Sequence, residues 1–257
     1  MAIKTSVLAS GSEGNVTYIE TPNHKILFDL GTTLKYIKDS LSSFSVSLDD
    51  IDYILITHVH DDHIKALKTY IKKYHAKICI SQKMYDELEL LHEYDNIQIY
   101  EDKIELDDST IDIIKTSHDT SDSRSFILRC NNKSIVYLTD TGYINQKYFK
   151  QLSNCNIYLF ESNHDIEMLL NGPYPKWLKD RVMGSYGHLS NKDSSIYLAK
   201  LIGGNTSKIV LTHLSQKNNS EEKALSTIKE IFNEYEISFN NIICARQKER
   251  TELIEIW

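Results

Sequence analysis

The chain has 257 residues, of which 41% are hydrophobic and 25% charged. These proportions are ordinary for a globular protein and too polar for a membrane protein. The net charge of −7 argues against a protein that holds DNA or RNA on a wide basic surface, but it leaves room for a nuclease that grips its substrate with metals and a small basic rim. The four scattered cysteines lack CxxC spacing, which argues against a zinc knuckle or a disulfide framework.

The chain offers no signal for membrane insertion or for a domain boundary. No apolar run approaches the roughly 20 residues that span a bilayer, and the stretch from Met1 to Leu8 lacks the apolar core of a signal peptide. We therefore expect a cytoplasmic protein with no membrane partner. Because there is no repeat, low-complexity tract or Pro- or Gly-rich linker, a single domain over 1–257 is the expectation.

The first third of the chain reads as strands separated by turns. Short apolar or alternating runs predict strands at 7–10, 16–20 and 25–29, arranged as an antiparallel meander. A helical pattern over 34–41 leads to an apolar run at 53–57, which fits a strand buried on both faces.

The rest of the chain alternates helix and strand. The predicted helices cover 63–74, 82–92, 191–201 and 220–235, with a helical insertion after Glu161. The predicted strands cover 77–80, 111–115, 125–130, 134–139, 156–160, 208–212, 241–245 and 252–256. An α/β sandwich of two mixed β-sheets, with helices on both outer faces, best accommodates this pattern.

Three histidines and two aspartates stand between His58 and His63, directly after the predicted strand that ends at Thr57. His58 and His60 are two apart, so in extended backbone they point the same way and can share one metal. Asp62 and His63 follow as the chain turns into a helix and can reach a second metal. Zn²⁺, Mn²⁺ and Fe²⁺ accept neutral imidazole and carboxylate as ligands. A solvated polar turn is the alternative interpretation of this segment.

Three more candidate ligands follow predicted strands: His118, Asp140 and His213. Polar side chains at the ends of apolar strands meet at one edge of a sheet, where open α/β folds build their sites. Taken singly, each would more often be a surface or capping residue. Together with the segment from His58 to His63, they predict one metal centre.

In order along the chain, Asp29, the HxHxDH segment, His118, Asp140 and His213 resemble the five motifs of the metallo-β-lactamase superfamily. The resemblance implies an αββα sandwich that binds two divalent metal ions. It implies that His58, His60 and His118 bind the first metal, that Asp62, His63 and His213 bind the second, and that Asp140 bridges the two. Asp29 would steady the metal loop by hydrogen bonds. An aspartate at the bridging position favours phosphoester hydrolysis over β-lactamases proper, which carry a cysteine near there.

A narrower resemblance is carried by the segments SGSEGN (10–15), SHD (117–119), TDTG (139–142), ESNHD (161–165), GHLSN (187–191) and HLS (213–215). They look like the WalJ (also called YycJ) family of small bacterial exonucleases. That likeness implies 5′-to-3′ degradation of DNA with Mn²⁺ or Zn²⁺, a hydroxide held between the two metals being the nucleophile. The alternatives are a phosphodiesterase acting on cyclic nucleotides or other small phosphodiesters, a thioester hydrolase, and a binding module without activity. The oligomeric state stays open.

Two further catalytic roles follow from resemblance. Asp62 is expected to orient the attacking water while it binds metal. Glu161 and His188 are similar to the pair of tRNA 3′-processing endonucleases in which the histidine acts on the leaving group and the glutamate orients it. A cap at a helix start is the alternative role for His188.

Candidate substrate contacts are less specific. The hydroxyls and amides of the loop with Ser10, Ser12 and Asn15 can cradle a phosphate, or form a plain β-turn. Lys179 and Arg181, on the inserted helix, can contact a nucleic-acid backbone, although a packed and solvated helix explains them equally. His164 either lines the pocket or is a structural histidine.

Overall fold

Two seven-stranded β-sheets form the centre of the computed structural model, which describes residues 2–257. The strands are Ile3–Ala9 (β1), Val16–Glu20 (β2), Lys25–Phe28 (β3), Tyr53–Leu55 (β4), Lys77–Ile80 (β5), Ile97–Ile99 (β6), Lys103–Glu105 (β7), Thr110–Lys115 (β8), Arg124–Cys130 (β9), Lys133–Leu138 (β10), Ile157–Glu161 (β11), Lys208–Thr212 (β12), Ile242–Cys244 (β13) and Ile254–Ile256 (β14). One sheet has the order β14-β1-β2-β3-β4-β5-β6 and the other β13-β12-β11-β10-β9-β8-β7.

Both sheets are mixed, as predicted. β1, β2 and β3 form the predicted antiparallel meander, and β3 to β6 continue as parallel strands. In the second sheet β7 to β10 are antiparallel, and β10 to β13 are parallel. The short edge strands β6 and β7 were not predicted, because three residues are too few for a clear alternation of apolar and polar side chains.

Helices flank the two sheets, and some of them lie at the edge that carries the candidate site. They are Leu34–Ser42 (α1), Asp61–Ile64 (α2), Leu67–Tyr70 (α3), Gln82–Glu87 (α4), Phe149–Leu152 (α5), Ile166–Asn171 (α6), Lys176–Met183 (α7), Asn191–Leu201 (α8) and Glu221–Glu234 (α9), with 3₁₀ turns at Leu48–Asp50, Glu89–Leu91 and Gln146–Tyr148. No helix within residues 2–257 is long and apolar enough to cross a membrane.

The prediction of one helix over 63–74 is wrong, since two short helices occupy this stretch. The loop after β3 interrupts the helix: Leu30 N donates to His63 O at 2.7 Å, and Ala66 N donates to Leu30 O at 2.8 Å. In a continuous helix, the His63 carbonyl would accept from the backbone N–H four residues further on. Here it accepts from Leu30 instead, so the helix cannot continue. The predicted helix over 82–92 likewise ends early, at Glu87, and a 3₁₀ turn follows.

Three apolar layers hold the sandwich together. Phe28, Phe126 and Leu159 are among the buried residues between the two sheets. A second layer, with Tyr18 and Tyr70, lies under the helices of the first sheet, and a third fills the space under α8 and α9. Each sheet is thus apolar on both faces, which confirms the predicted αββα sandwich.

The candidate ligands lie at the ends of strands, at one edge of this sandwich. Asp29 and His213 directly follow β3 and β12, Asp140 lies two residues after the end of β10, and all three adopt left-handed backbone, with φ of 61°, 56° and 52°. Such backbone is uncommon for residues other than glycine and costs on the order of 1 kcal/mol or more. The backbone therefore turns sharply away from the sheet at each of these positions, and the side chain remains at the end of the strand.

Candidate active site

Two groups of three donor side chains meet at this edge. The candidate ligand atoms of His58, His60 and His118 all lie within 4.8 Å of one another, and the same holds for those of Asp62, His63 and His213. Asp140 lies between the groups: its carboxylate oxygens are 3.2 Å from His63 Nε2 and 3.8 Å from His118 Nε2. These are the two sets that the sequence resemblance assigns to two metals. Asp140 also forms such groups with His58 and His63, and with Glu161, His188 and His213.

An unpaired buried atom indicates that these residues fit cations. His213 Nε2 is buried without a hydrogen-bond partner among the described residues, and it lies 3.7 Å from Asp62 Oδ2. A buried imidazole nitrogen left without a partner is costly, whereas a cation between the two side chains would use both of them. Histidine nitrogens and carboxylate oxygens are the donors that Zn²⁺ and Mn²⁺ accept.

The protonation of the histidines differs between the two groups. Burial and the neighbouring His63 hold the pKa of His58 well below its usual range, and burial lowers the pKa of His118. Both are therefore neutral, as metal ligands must be. Burial also lowers the pKa of His213, but the neighbouring carboxylates of Asp140, Asp62 and Glu161 outweigh it and raise the pKa to about 10. A cation at this group must displace a proton, so its affinity rises with pH.

Asp29 lies behind the candidate ligands, in the position that the resemblance implied. Its fully buried carboxylate accepts hydrogen bonds from Thr57 N at 2.8 Å, from His63 Nδ1 at 2.8 Å and from the Tyr137 hydroxyl at 3.2 Å. Because His63 donates through Nδ1, its Nε2 faces Asp140 and Asp62. The carboxylate thus selects the tautomer that leaves Nε2 available for a metal.

The loop from Ser10 to Asn15 supports the ligands, and this corrects part of the predicted substrate contact. Ser10 Oγ accepts a hydrogen bond from His213 N at 2.7 Å, and Asn15 Nδ2 donates to Asp62 Oδ2 at 3.2 Å. Both side chains are buried and already paired, so they are not free to hold a phosphate. Of the three predicted contacts only Ser12 is exposed and lines the pocket.

Glycine 31 lets this loop approach the ligands. A Cβ at Gly31 would lie 1.6 Å from the Asp62 carbonyl oxygen and 2.6 Å from Asn15 N. Asn15 N donates to that same carbonyl at 2.8 Å. Any larger residue at Gly31 would push the loop away from Asp62.

The predicted pair of Glu161 and His188 is present. His188 Nδ1 lies 2.7 Å from Glu161 Oε1, while Glu161 Oε2 accepts from Thr141 N at 3.0 Å and from Leu189 N at 3.3 Å. Burial raises the pKa of Glu161, but the charge of His188 and hydrogen bonds from His188 and His213 hold it at about 2. The glutamate is therefore an anion that fixes the His188 ring through Nδ1. The ring is partly exposed and lines the pocket through its other edge.

The pocket over these residues has a volume of about 220 Å³ and is walled on one side by α7. Arg181 lines it and donates through Nε to Asp119 Oδ2. Lys179, on the same helix, does not line it and instead donates to Leu170 O at 2.7 Å. His164 does not line it either, because its side chain is buried in the protein. This burial lowers the pKa of His164 to about 4. Both side chains are thus directed away from the pocket, and for His164 this agrees with the structural role that the sequence left as the alternative.

Several residues of the site were not predicted. Thr57 donates to Asp29 through both its backbone and its hydroxyl, and Asn163 Nδ2 donates to the His213 carbonyl at 3.0 Å. Asp119 pairs with Arg181. Thr57 and Asp119 adjoin the ligands His58 and His118 in sequence, which was the available signal.

Comparison with known proteins agrees with this geometry. Residues 9–213 match the model of the metallo-beta-lactamase superfamily, and the chain belongs to that superfamily of metal-dependent hydrolases. It is 33% identical over 241 residues to the exodeoxyribonuclease YycJ of Bacillus anthracis, covering 91% of this chain and 90% of the relative. It is 37% identical over 235 residues to the exodeoxyribonuclease WalJ of Streptococcus pneumoniae serotype 2, covering 89% and 87%. Within the superfamily it is therefore a member of the WalJ/YycJ family.

A solved structure has the same fold. The metallo-beta-lactamase fold protein YhfI from Bacillus subtilis superposes with a TM-score of 0.76 over 99% of both chains, at 14% sequence identity. The family and the fold predicted from the sequence are confirmed.

Proposed function

We propose that this protein is a two-metal exodeoxyribonuclease that shortens DNA in the 5′-to-3′ direction and acts as a single domain. The convergence of two three-residue donor groups on Asp140, beside the pair of Glu161 and His188, carries the proposal. The names of the curated relatives, both exodeoxyribonucleases, support DNA as the substrate. The relatives are bacterial, so we also propose a cytoplasmic location, where bacterial DNA lies.

The proposed metals are two Mn²⁺ or Zn²⁺ ions. The first would be held by His58, His60 and His118, the second by Asp62, His63 and His213, and both by Asp140. When bound, such a pair lowers the pKa of water to near neutrality and offsets negative charge on a phosphate. The chain itself supplies an oriented base, because Asn15 holds one oxygen of Asp62 at 3.2 Å beside the pocket. Asp62 would orient the attacking water and accept its proton.

His188 is the proposed general acid. Glu161 fixes Nδ1 of the imidazole, so the Nε2 edge is the one available to the pocket. From Nε2 a proton would pass to the oxygen of the departing nucleotide as its bond to phosphorus breaks. The buried Glu161 anion holds the ring in place before and after the transfer.

The test uses DNA labelled at either end, single- and double-stranded, with Mn²⁺, with Zn²⁺ and without metal. Progressive shortening from the 5′ end that depends on metal supports the proposal. His188→Ala should slow shortening, while His75→Ala, at an exposed histidine outside the pocket, should not. Shortening from the 3′ end would contradict the polarity alone.

The competing functions are outcomes of the same test. Cleavage restricted to cyclic nucleotides or an aryl phosphodiester would replace the DNA substrate with a small phosphodiester. Cleavage of a glutathione thioester alone would point to thioester hydrolysis, which has no use for His188. Inactivity on all substrates after full metal loading would favour a binding module.

A further inference from the structure

A groove of about 340 Å³ adjoins the catalytic pocket and plays no part in the chemistry described above. It meets the pocket at His118, which lines both. A strand that enters the catalytic pocket has to leave it by some path, and this groove begins at the edge of the pocket.

One wall of the groove is basic. Lys115 and Lys147 line it, and both are exposed. They are joined through Tyr148, because Lys115 N donates to its hydroxyl at 3.3 Å and Lys147 Nζ lies 4.7 Å from the centre of its ring. The one acidic lining residue, Asp122, is buried and paired with Arg124 at 2.7 Å. In a chain of net charge −7, this wall offers two cations with no exposed anion among the lining residues.

Exposed aromatic rings also line the groove. Tyr143 and Tyr186 line the groove with 45% and 65% of their surface exposed, so their ring faces are available for stacking. Their loops are pressed together at Gly142, where a Cβ would lie 2.4 Å from the backbone of Ser185. Proteins bind single-stranded nucleic acid with exposed aromatic rings that stack on bases and with basic groups that contact phosphates. The tyrosines and lysines of this groove offer both.

A second groove also begins at His118 and Tyr186, and it has the opposite charge. It is lined by Glu87 and by Asp119, which is paired with Arg181, and by no lysine or arginine. A polyanionic strand meets the Glu87 carboxylate there and two lysines in the other groove, so the lysine side is electrostatically favoured. The two grooves together give the strand one electrostatically favourable direction from the pocket.

We propose that the groove with Lys115, Lys147, Tyr143 and Tyr186 binds single-stranded DNA beyond the cleaved bond. Lys115 and Lys147 contact phosphates, and Tyr143 and Tyr186 stack on bases. The proposal rests on the proposed nuclease function and adds the path of the substrate strand. It requires that an end be single-stranded, or become so, for the strand to enter.

The experiment measures binding and turnover of the metal-loaded enzyme on single strands of about ten nucleotides and on a dinucleotide. Binding is followed by fluorescence anisotropy in a His188→Ala background, so that the strand survives. Tyr143→Ala and Tyr186→Ala should each raise the Kd of the longer strand roughly five- to tenfold. The double variant Lys115→Gln/Lys147→Gln should make the slope of log K against log salt shallower by about 1.4, since each single-strand phosphate contact contributes about 0.7. In the active enzyme, these variants should raise the KM of the longer strand more than that of the dinucleotide.

Matched controls lie away from the groove. Tyr235→Ala removes a tyrosine that is also 45% exposed, and Lys72→Gln/Lys73→Gln removes two exposed lysines. Neither should alter strand binding or its salt dependence. Thermal unfolding of each variant verifies that the fold is intact.

The outcomes separate the groove from the nuclease function. If the enzyme shortens DNA but the groove variants bind and cleave like the controls, the groove proposal is overturned and the function stands. If the enzyme neither binds nor cleaves single strands while it hydrolyses small diesters, the proposed function and the groove both fail. A fall in affinity confined to the longer strand supports both.

Discussion

Replacing Asp29 with asparagine tests whether the Asp29 carboxylate fixes the tautomer of His63 that binds a metal. The carboxylate of Asp29 is fully buried, and its Oδ2 accepts hydrogen bonds from His63 Nδ1 and from the Tyr137 hydroxyl, while Oδ1 accepts from Thr57 N. An asparagine can keep the bond from Thr57 through its oxygen. Its amide group then faces His63 Nδ1, where a donor would meet a donor.

We expect His63 to change its tautomer, because this removes the clash between the two donors. If Nδ1 of His63 becomes the acceptor, the ring proton moves to Nε2, which is the atom that faces Asp140 and Asp62. Loss of such a supporting hydrogen bond lowers metal affinity about 10- to 100-fold, or about 1.4–2.7 kcal/mol. The backbone at Asp29, with φ of 61°, adds no strain because asparagine adopts left-handed backbone as readily as aspartate.

Calorimetric titration with Mn²⁺ or Zn²⁺ measures the effect. Asp29→Asn should weaken one of two binding steps and leave the step assigned to His58, His60 and His118 unchanged. Asp39→Asn is the matched control, because the Asp39 side chain is 60% exposed and its partner is the surface residue Lys35. Two steps of wild-type affinity in Asp29→Asn would refute the tautomer argument.

Four further predictions follow from the site. His188→Ala should lower kcat about 10²- to 10⁴-fold and leave metal content, measured by elemental analysis, unchanged; lost metal would contradict its role as acid. Asn15→Ala should lower the free energy of unfolding by about 1–2 kcal/mol in denaturant titration, because Asp62 loses a buried donor; an unchanged midpoint would refute this. In the metal-free protein, the lowered pKa of Glu161 contributes stability that is lost as pH falls from about 4.5 towards about 2, and the raised pKa of His213 contributes stability that is lost as pH rises from about 6.5 towards about 10. The lowered pKa values of His58, His118 and His164 also remove stability as pH falls below about 6.5. The Tm in chelator should therefore peak near pH 6.5, and a Tm that keeps rising to pH 10 would contradict this. Metal at 100 times its Kd should stabilise the fold by about 2.7 kcal/mol, which calorimetry with and without chelator measures.

The candidate ligands could be predicted from the sequence because their chemistry and their position coincide. Three histidines and two aspartates after an apolar run have few structural uses, and single polar residues at later strand ends share the same sheet edge. His118, Asp140 and His213 were therefore found without knowledge of the strand order. The structure brings all of them together with the segment from His58 to His63.

The residues behind the ligands could not be assigned in the same way. Ser10 and Asn15 stand in a polar, glycine-containing loop, and the sequence does not reveal whether such hydroxyls and amides face solvent or the protein interior. That choice depends on contacts with His213 and Asp62, which are far away in sequence. The break in the helix after His63 has the same origin, since Leu30 supplies the competing hydrogen bond.

The bond between Ser10 Oγ and His213 N joins positions 203 residues apart, and β1 also pairs with β14. Contacts of such long sequence separation form late, because the intervening chain must first be ordered. During synthesis, a ribosome-bound fragment that ends before His213 would hold only part of the ligand set. Tight cation capture should therefore begin only after translation has passed this histidine, which makes it a reporter of completed folding.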